Sequence, residues 1–261
     1  MAAASLQITI GACRWGGESP QQECSTVTLE RLQALDAIVF DMDGVLLDSE
    51  PLHQIALDRV IADEGHEFTQ EEHGRFVGMS QADTWAEVDR MRGLREPLEY
   101  YHQRYDQEVL AVLTQGPLEP FPGVMELLSV VRGSGHRLGL ATQSHRSWVE
   151  ATLGGLGMRE SFDVIVSGDM VQHGKPHPEL YLRACELLGA DPTHSLAIED
   201  SLPGARAARA AGMMVVGVRN PYAGEALERE ADLLVDRLDD LLDPDTDWPS
   251  RPRDSTLSGD W

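Results

Sequence analysis

The chain has only three cysteines, Cys13, Cys24 and Cys185, in 261 residues. Their irregular spacing excludes a disulfide framework or a cysteine-ligated zinc centre, and it predicts a reducing, cytoplasmic setting. No apolar run approaches the roughly 20 residues needed to cross a bilayer. The opening MAAASLQITIGACRWGG lacks the basic start and long apolar stretch of a secretory signal, so a soluble protein is expected. Positive charge is scarce as well: Lys and Arg total 21 against 44 Asp and Glu, a formal net charge of -23. Such a surface repels nucleic-acid backbones and anionic membranes, so neither is an expected partner and a small diffusible molecule is. If that molecule is itself anionic, a cation and nearby basic side chains must neutralise it. No internal repeat is evident.

What the sequence does have is a hydrophobic content of 42%, much of it in short apolar runs at Ala37–Phe40, Leu138–Ala141, Val164–Val166, Leu196–Ile198, Met213–Val218 and Leu233–Val235. Helical patterns alternate with these runs, which predicts an α/β fold with a Rossmann-like parallel sheet flanked by helices. Leu180, Tyr181, Ala184, Leu187 and Leu188 recur at helical spacing and are read as a core stripe, with Cys185 a small buried hydrophobe among them. Ser201 and Pro203 open a helix that Gly212 closes, whereas Gly154, Gly155 and Gly157 weaken the helix after Trp148. Roughly 75 residues separate the first strand from a helix near Pro122-Gly123, far more than a usual connection. Within that interval Leu52, Ile55, Ala56 and Val60 follow a Ser49 cap, and Tyr101, Tyr105, Val109 and Val112 mark a second helix. Residues 50–118 are therefore expected to form a helical cap over the carboxyl edge of the sheet. The core takes 34–49 and 119–242, residues 1–33 a loosely ordered extension, and the Pro-, Asp- and Ser-rich stretch from Asp243 a disordered tail.

The first strand ends in Asp41-Met42-Asp43-Gly44, which puts two carboxylates where open α/β sheets bind ligands. Alone this is no more than an acidic turn. Three other runs end in residues suited to the same crevice: Thr142, Lys175 in the loop after Val164–Val166, and the pair Glu199-Asp200. Converged at one sheet edge, they give four carboxylates, a hydroxyl and an ammonium in a small volume. Clustered carboxylates repel unless a cation joins them, and an all-oxygen set of few protein ligands suits magnesium, which shares phosphate oxygens. Lys175 and Thr142 then take up the remaining phosphoryl charge.

The segments FDMDGVLLDSE, LATQS, GKPHPELY and AIEDSLPGARAARAAGM occur in that order. Over roughly residues 36–236 the chain thereby resembles the haloacid dehalogenase superfamily, in the branch of helical-cap phosphatases and sugar phosphomutases. The resemblance implies Asp41 as nucleophile, Asp43 as general acid/base, and Thr142 and Lys175 as phosphate binders. It implies magnesium held by Asp41, the Asp43 carbonyl and Asp200, with Glu199 in support, and a small phosphate ester as substrate. Dehalogenases of the superfamily generally lack the second acid and need no metal, so Asp43, Glu199 and Asp200 favour phosphoryl transfer. A β-phosphoglucomutase-like isomerase is the alternative; an arginine of those sequences is replaced here by Gln81, which favours the phosphatase.

Further candidates concern the substrate beyond its phosphate. Arg75 and Arg104 in the cap, His53 at the core–cap junction and Gln143 beside Thr142 are assigned to substrate binding. His145 is read either as crevice lining or as the start of the next helix. His173 and His177, four apart, have a spacing found in metal ligands, but Lys175-Pro176 lies between them and they are assigned to loop packing.

Overall fold

The structure, a computed structural model, describes residues 35–77, 79–220, 226–243, 246 and 249. The expected extension at 1–33 lies outside the described residues, as does most of the stretch after Asp243; Thr246 is described and its hydroxyl donates to the carbonyl of Asp240 at 2.5 Å.

Six parallel strands form one sheet in the order β3-β2-β1-β4-β5-β6. They are β1 (Ala37–Phe40), β2 (Arg137–Ala141), β3 (Val164–Val166), β4 (Ser195–Glu199), β5 (Met214–Val218) and β6 (Leu233–Val235). Central β1 is buried along its whole length because helices cover both faces. Side chains alternate across a strand, so Ile38 and Phe40 pack on one side against α5 (Val124–Gly133) and α6 (Arg146–Leu156). Ala37 and Val39 pack on the other, against α7 (Glu179–Leu188) and α8 (Leu202–Ala210). A short helix α9 (Ala226–Glu230) precedes β6.

Between β1 and α5 run four helices, α1 (Glu50–Ala62), α2 (Gln70–Phe76), α3 (Gln81–Arg92) and α4 (Leu98–Gln115). They share a core of their own: Leu57, Val60, Ile61, Phe76, Trp85, Val88 and Tyr101 are buried together. Trp85 stacks on Tyr101 with ring centroids 5.3 Å apart, an arrangement that contributes roughly 0.5–1.5 kcal/mol beyond area burial. A second cluster, Ala56, Val109, Val112 and Leu113 with Trp148 of α6, seats α1 and α4 on the sheet-bearing part. None of the described helices is long and apolar enough to cross a membrane.

Two apolar positions differ from the sequence reading. Leu187 is 43% exposed, and the buried face of α7 is Leu180, Tyr181, Ala184, Cys185 and Leu188. At about 100° per residue, position 187 falls roughly 90° from the middle of that face, at its edge. Ile55 is 42% exposed because it lies on the face of α1 opposite the buried Ala56, Leu57, Val60 and Ile61. The glycines after Trp148 do not interrupt α6; Gly157 closes it in the left-handed region at φ 68°.

Candidate active site

Four strand ends build one crevice. Asp41 follows β1 directly, and its N–H donates to the Ile198 carbonyl at 2.9 Å, so the pairing of β1 with β4 extends past the strand and fixes the residue. The chain then turns: Gly44 N–H donates to Leu47 at 3.0 Å with Gly44 at φ 76°. A Cβ on Gly44 would lie 1.8 Å from Asp200 Oδ2, so this turn has room only for glycine. Asp43 leaves the turn toward β2, where its Oδ2 accepts a 2.6 Å hydrogen bond from the Ser144 hydroxyl. Thr142 follows β2 and is buried; its N–H donates to Val166 and its Oγ1 accepts from the Ser144 N–H at 3.1 Å.

Lys175 reaches into the same place from the loop after β3. Its Nζ lies 2.9 Å from Asp41 Oδ1 and 2.5 Å from Glu199 Oε1, with the side chain 4% exposed. Glu199, at the end of β4, is fully buried and held at both oxygens. Tyr181 of α7 donates its hydroxyl to Oε1 at 2.7 Å, and the Ser201 hydroxyl and the N–H groups of Asp200 and Ser201 donate to Oε2. A Cβ at Gly204 would fall 1.7 Å from Glu199 Oε1, so α8 approaches this carboxylate through a glycine. Asp200 accepts from the Asn220 amide at 2.5 Å.

The electrostatics follow from burial. Asp41 is pushed up to about 7, first by desolvation, with Lys175 opposing and Glu199 and Asp43 adding to the rise. Asp200 is held well above the ordinary carboxylate range by burial and by its neighbours Glu199 and Asp41. Burial alone would lower the Lys175 pKa, but Asp41 and Glu199 raise it above the usual value. One ammonium thus faces a set of buried acids that it does not fully neutralise. Asp41, Glu199 and Asp200 each offer an oxygen within 4.8 Å of the others. This buried, all-oxygen donor set fits a hard divalent cation such as magnesium.

Asp41, Asp43, Thr142, Gln143, Lys175 and Asp200 line one cavity of about 540 Å³, and Glu199 lies directly behind it. The other sequence candidates are elsewhere. Arg75 is exposed and pairs with Glu71 at 2.7 Å, one helical turn away. Arg104 is taken up by Asp63 and Glu108, each at 3.1 Å. Neither arginine lines the cavity, because on so acidic a chain each finds a carboxylate partner nearby. His53 is packed between Tyr105, whose hydroxyl is 2.8 Å from Nδ1, and the ring of Trp148, and desolvation lowers its pKa. Gln81 is bound to Asp106 of α4 at 2.8 Å. His145 is exposed at the start of α6.

Ser144 and Asn220 were not singled out from sequence, and Tyr181 and Ser201 were read only as core and helix start. Asn220 had a signal, since it stands just beyond β5 at the same sheet edge. Tyr181 had none, because its spacing marks it as core and its hydroxyl is assigned only by what β4 brings opposite.

A parallel sheet with acids, a hydroxyl and a lysine at its carboxyl edge defines a phosphoryl-handling α/β protein in architecture. The family model of the haloacid dehalogenase-like hydrolases matches residues 35–212, and the chain belongs to that family. A phosphorylated carbohydrates phosphatase of Thermotoga maritima is 35% identical over 179 residues, covering 69% of this chain and 82% of that protein. A phosphoglycolate phosphatase of Salmonella typhimurium is 32% identical over 237 residues, 82% of this chain and 94% of the relative. Among solved structures, CbbY from Rhodobacter sphaeroides in complex with phosphate superposes with a TM-score of 0.70 at 30% identity, over 79% of this chain and 96% of that one.

Proposed function

We propose that this chain is a magnesium-dependent phosphatase that hydrolyses a small phosphorylated carbohydrate, or a phosphate monoester of similar size, through a phosphoenzyme on Asp41. The observation that carries the reading is the meeting of Asp41, Asp43, Thr142, Lys175 and Asp200 on one cavity wall. Relatives named for phosphorylated carbohydrates and phosphoglycolate support the substrate class.

In this reading Lys175 and Thr142 hold the phosphoryl oxygens and orient phosphorus toward Asp41. The Asp41 carboxylate attacks in line, and the bond to the leaving oxygen breaks as Asp43 gives it a proton. Asp43 then takes a proton from water, which attacks the aspartyl phosphate; inorganic phosphate leaves and Asp41 is restored. Asp41, the Asp43 carbonyl and Asp200, with Glu199 in support, would hold magnesium, which would supply positive charge to keep these acids ionised beside a phosphate. Ser144, bonded to Asp43, keeps the acid/base at the crevice wall. The helices of residues 50–118 act as a cap that selects what lies beyond the phosphate.

A panel of phosphate esters assayed with magnesium tests this, with phosphate release as the readout and intact-protein mass spectrometry after rapid quench for the adduct. A phosphate adduct on Asp41, its loss in Asp41→Asn, and loss of turnover on chelation are expected. An active Asp41→Asn protein overturns the nucleophile, and turnover under thorough chelation overturns the metal. Conversion of β-glucose 1-phosphate to glucose 6-phosphate in preference to phosphate release makes the chain a sugar phosphomutase instead.

A further inference from the structure

Outside the crevice, the turn that leads into α7 brings together two imidazoles and a carboxylate. The four-residue spacing of His173 and His177 is one found in metal ligands, the intervening Lys175-Pro176 points to loop packing, and the fold adds Glu179. The Glu179 carboxylate is held by two backbone donors, with Oε1 accepting the Gln172 N–H at 2.9 Å and Oε2 the His173 N–H at 3.0 Å, and its own N–H donates to His177 Nδ1 at 3.3 Å. His173 Nδ1 lies 2.9 Å from that same Oε2, and His177 Nδ1 lies 3.9 Å from it. The two rings are 4.6 Å apart at 36°, and one donor atom from each of the three residues falls within 4.8 Å of the others.

A tetrahedral zinc site has metal–ligand bonds of about 2.0–2.1 Å, which places its ligand atoms roughly 3.3 Å apart. The three donors therefore need shifts of only about an ångström, and both histidines are exposed enough to make them. We propose that His173, His177 and Glu179 form a surface site for a divalent transition metal that favours imidazole, zinc above all, with water completing the shell. This site differs in kind from the crevice. Two imidazole nitrogens are poor ligands for magnesium and good ones for zinc, whereas the buried oxygens of Asp41, Glu199 and Asp200 have the opposite preference. An ion here clamps the loop on both sides of Lys175 to the first turn of α7, so its binding stabilises the folded chain. The proposal is independent of the phosphatase reading.

The test uses the full chain without a histidine tag, in millimolar magnesium so that oxygen sites are supplied with their own cation. Zinc is titrated calorimetrically, and cobalt(II) is followed by its visible absorption. A saturable zinc site and a higher melting temperature with zinc are expected, with affinity falling about tenfold or more in His173→Gln and in His177→Gln. The circular dichroism of both variants without zinc should match the parent. A zinc isotherm unchanged in the doubly substituted protein overturns the proposal, as does the absence of saturable binding. Zinc binding that is lost instead in Asp200→Asn also overturns it, by locating the ion in the crevice.

Discussion

Replacing Tyr181 with phenylalanine removes one oxygen from the buried side of the charge cluster and leaves the ring in place. That ring, fully buried in the α7 face, also lies 5.5 Å below the Lys175 ammonium, so packing and the cation–ring contact survive the substitution. What is lost is the 2.7 Å hydrogen bond to Glu199 Oε1, the oxygen that also contacts Lys175. A hydrogen bond to a charged acceptor contributes about 1.5–3 kcal/mol, and water has no access to Glu199 to replace it. For a domain of this size each kcal/mol moves the melting temperature by roughly 2–4 °C, so Tyr181→Phe should melt roughly 3–12 °C lower by calorimetry or circular dichroism. The second readout concerns position rather than stability. A loosened Glu199 no longer holds Lys175, and inhibition by inorganic phosphate should weaken roughly tenfold, equivalent to about 1.4 kcal/mol. A melting temperature within about 1 °C of the parent, together with unchanged phosphate inhibition, would refute the reasoning.

Gly44→Ala sets a Cβ 1.8 Å from Asp200 Oδ2 at a φ of 76°; the protein should still fold, and the magnesium concentration that gives half-maximal turnover should rise about tenfold or more. Burial lowers the pKa of His53 below its usual 6.5. The unfolded chain therefore takes up a proton first as pH falls through about 6.5, and this part of stability is present above that value and lost below it. The melting temperature of the parent minus that of His53→Gln should accordingly fall between about pH 7.5 and about pH 5, and parallel curves would contradict it. Because the chain carries a net charge of -23, kcat/KM for an anionic ester should rise as salt shortens the screening length from about 30 Å to about 8 Å. A fall would mean that a local basic field governs the approach.

The strands and the residues at their carboxyl ends were legible because each apolar run ends abruptly in a polar residue, which marks the sheet edge. Asp41, Thr142 and Glu199 are such residues, and all three are buried at the sheet edge. Lys175 was legible only by its place after Val164–Val166; that it would contact both Asp41 and Glu199 depends on how the loop folds back. Tyr181 and Ser144 were invisible, because a hydroxyl's partner is set by a strand distant in the chain. Arg75 and Arg104 lie away from the cavity and in ion pairs, and composition accounts for those pairs. With acids outnumbering bases, an arginine on a helix meets a carboxylate within a turn or on the neighbouring helix, and such exposed pairs form whether or not a ligand exists.

The acids of the crevice are held by the central strands of the sheet. Asp41, Glu199 and Asp200 repel one another, and loops alone would let them part; here the β1–β4 pairing and the hydrogen bonds to Glu199 prevent it. The consequence is electrostatic. With Lys175 as the one ammonium in contact with the cluster among the described residues, burial raises Asp41 to about 7 and Asp200 well above its ordinary range, so the ionised form of both is disfavoured. A protonated Asp41 is a poor nucleophile. In the proposed reaction a divalent cation on these oxygens would favour their ionised form, which would tie the proposed metal requirement and the proposed nucleophile to a single electrostatic cause.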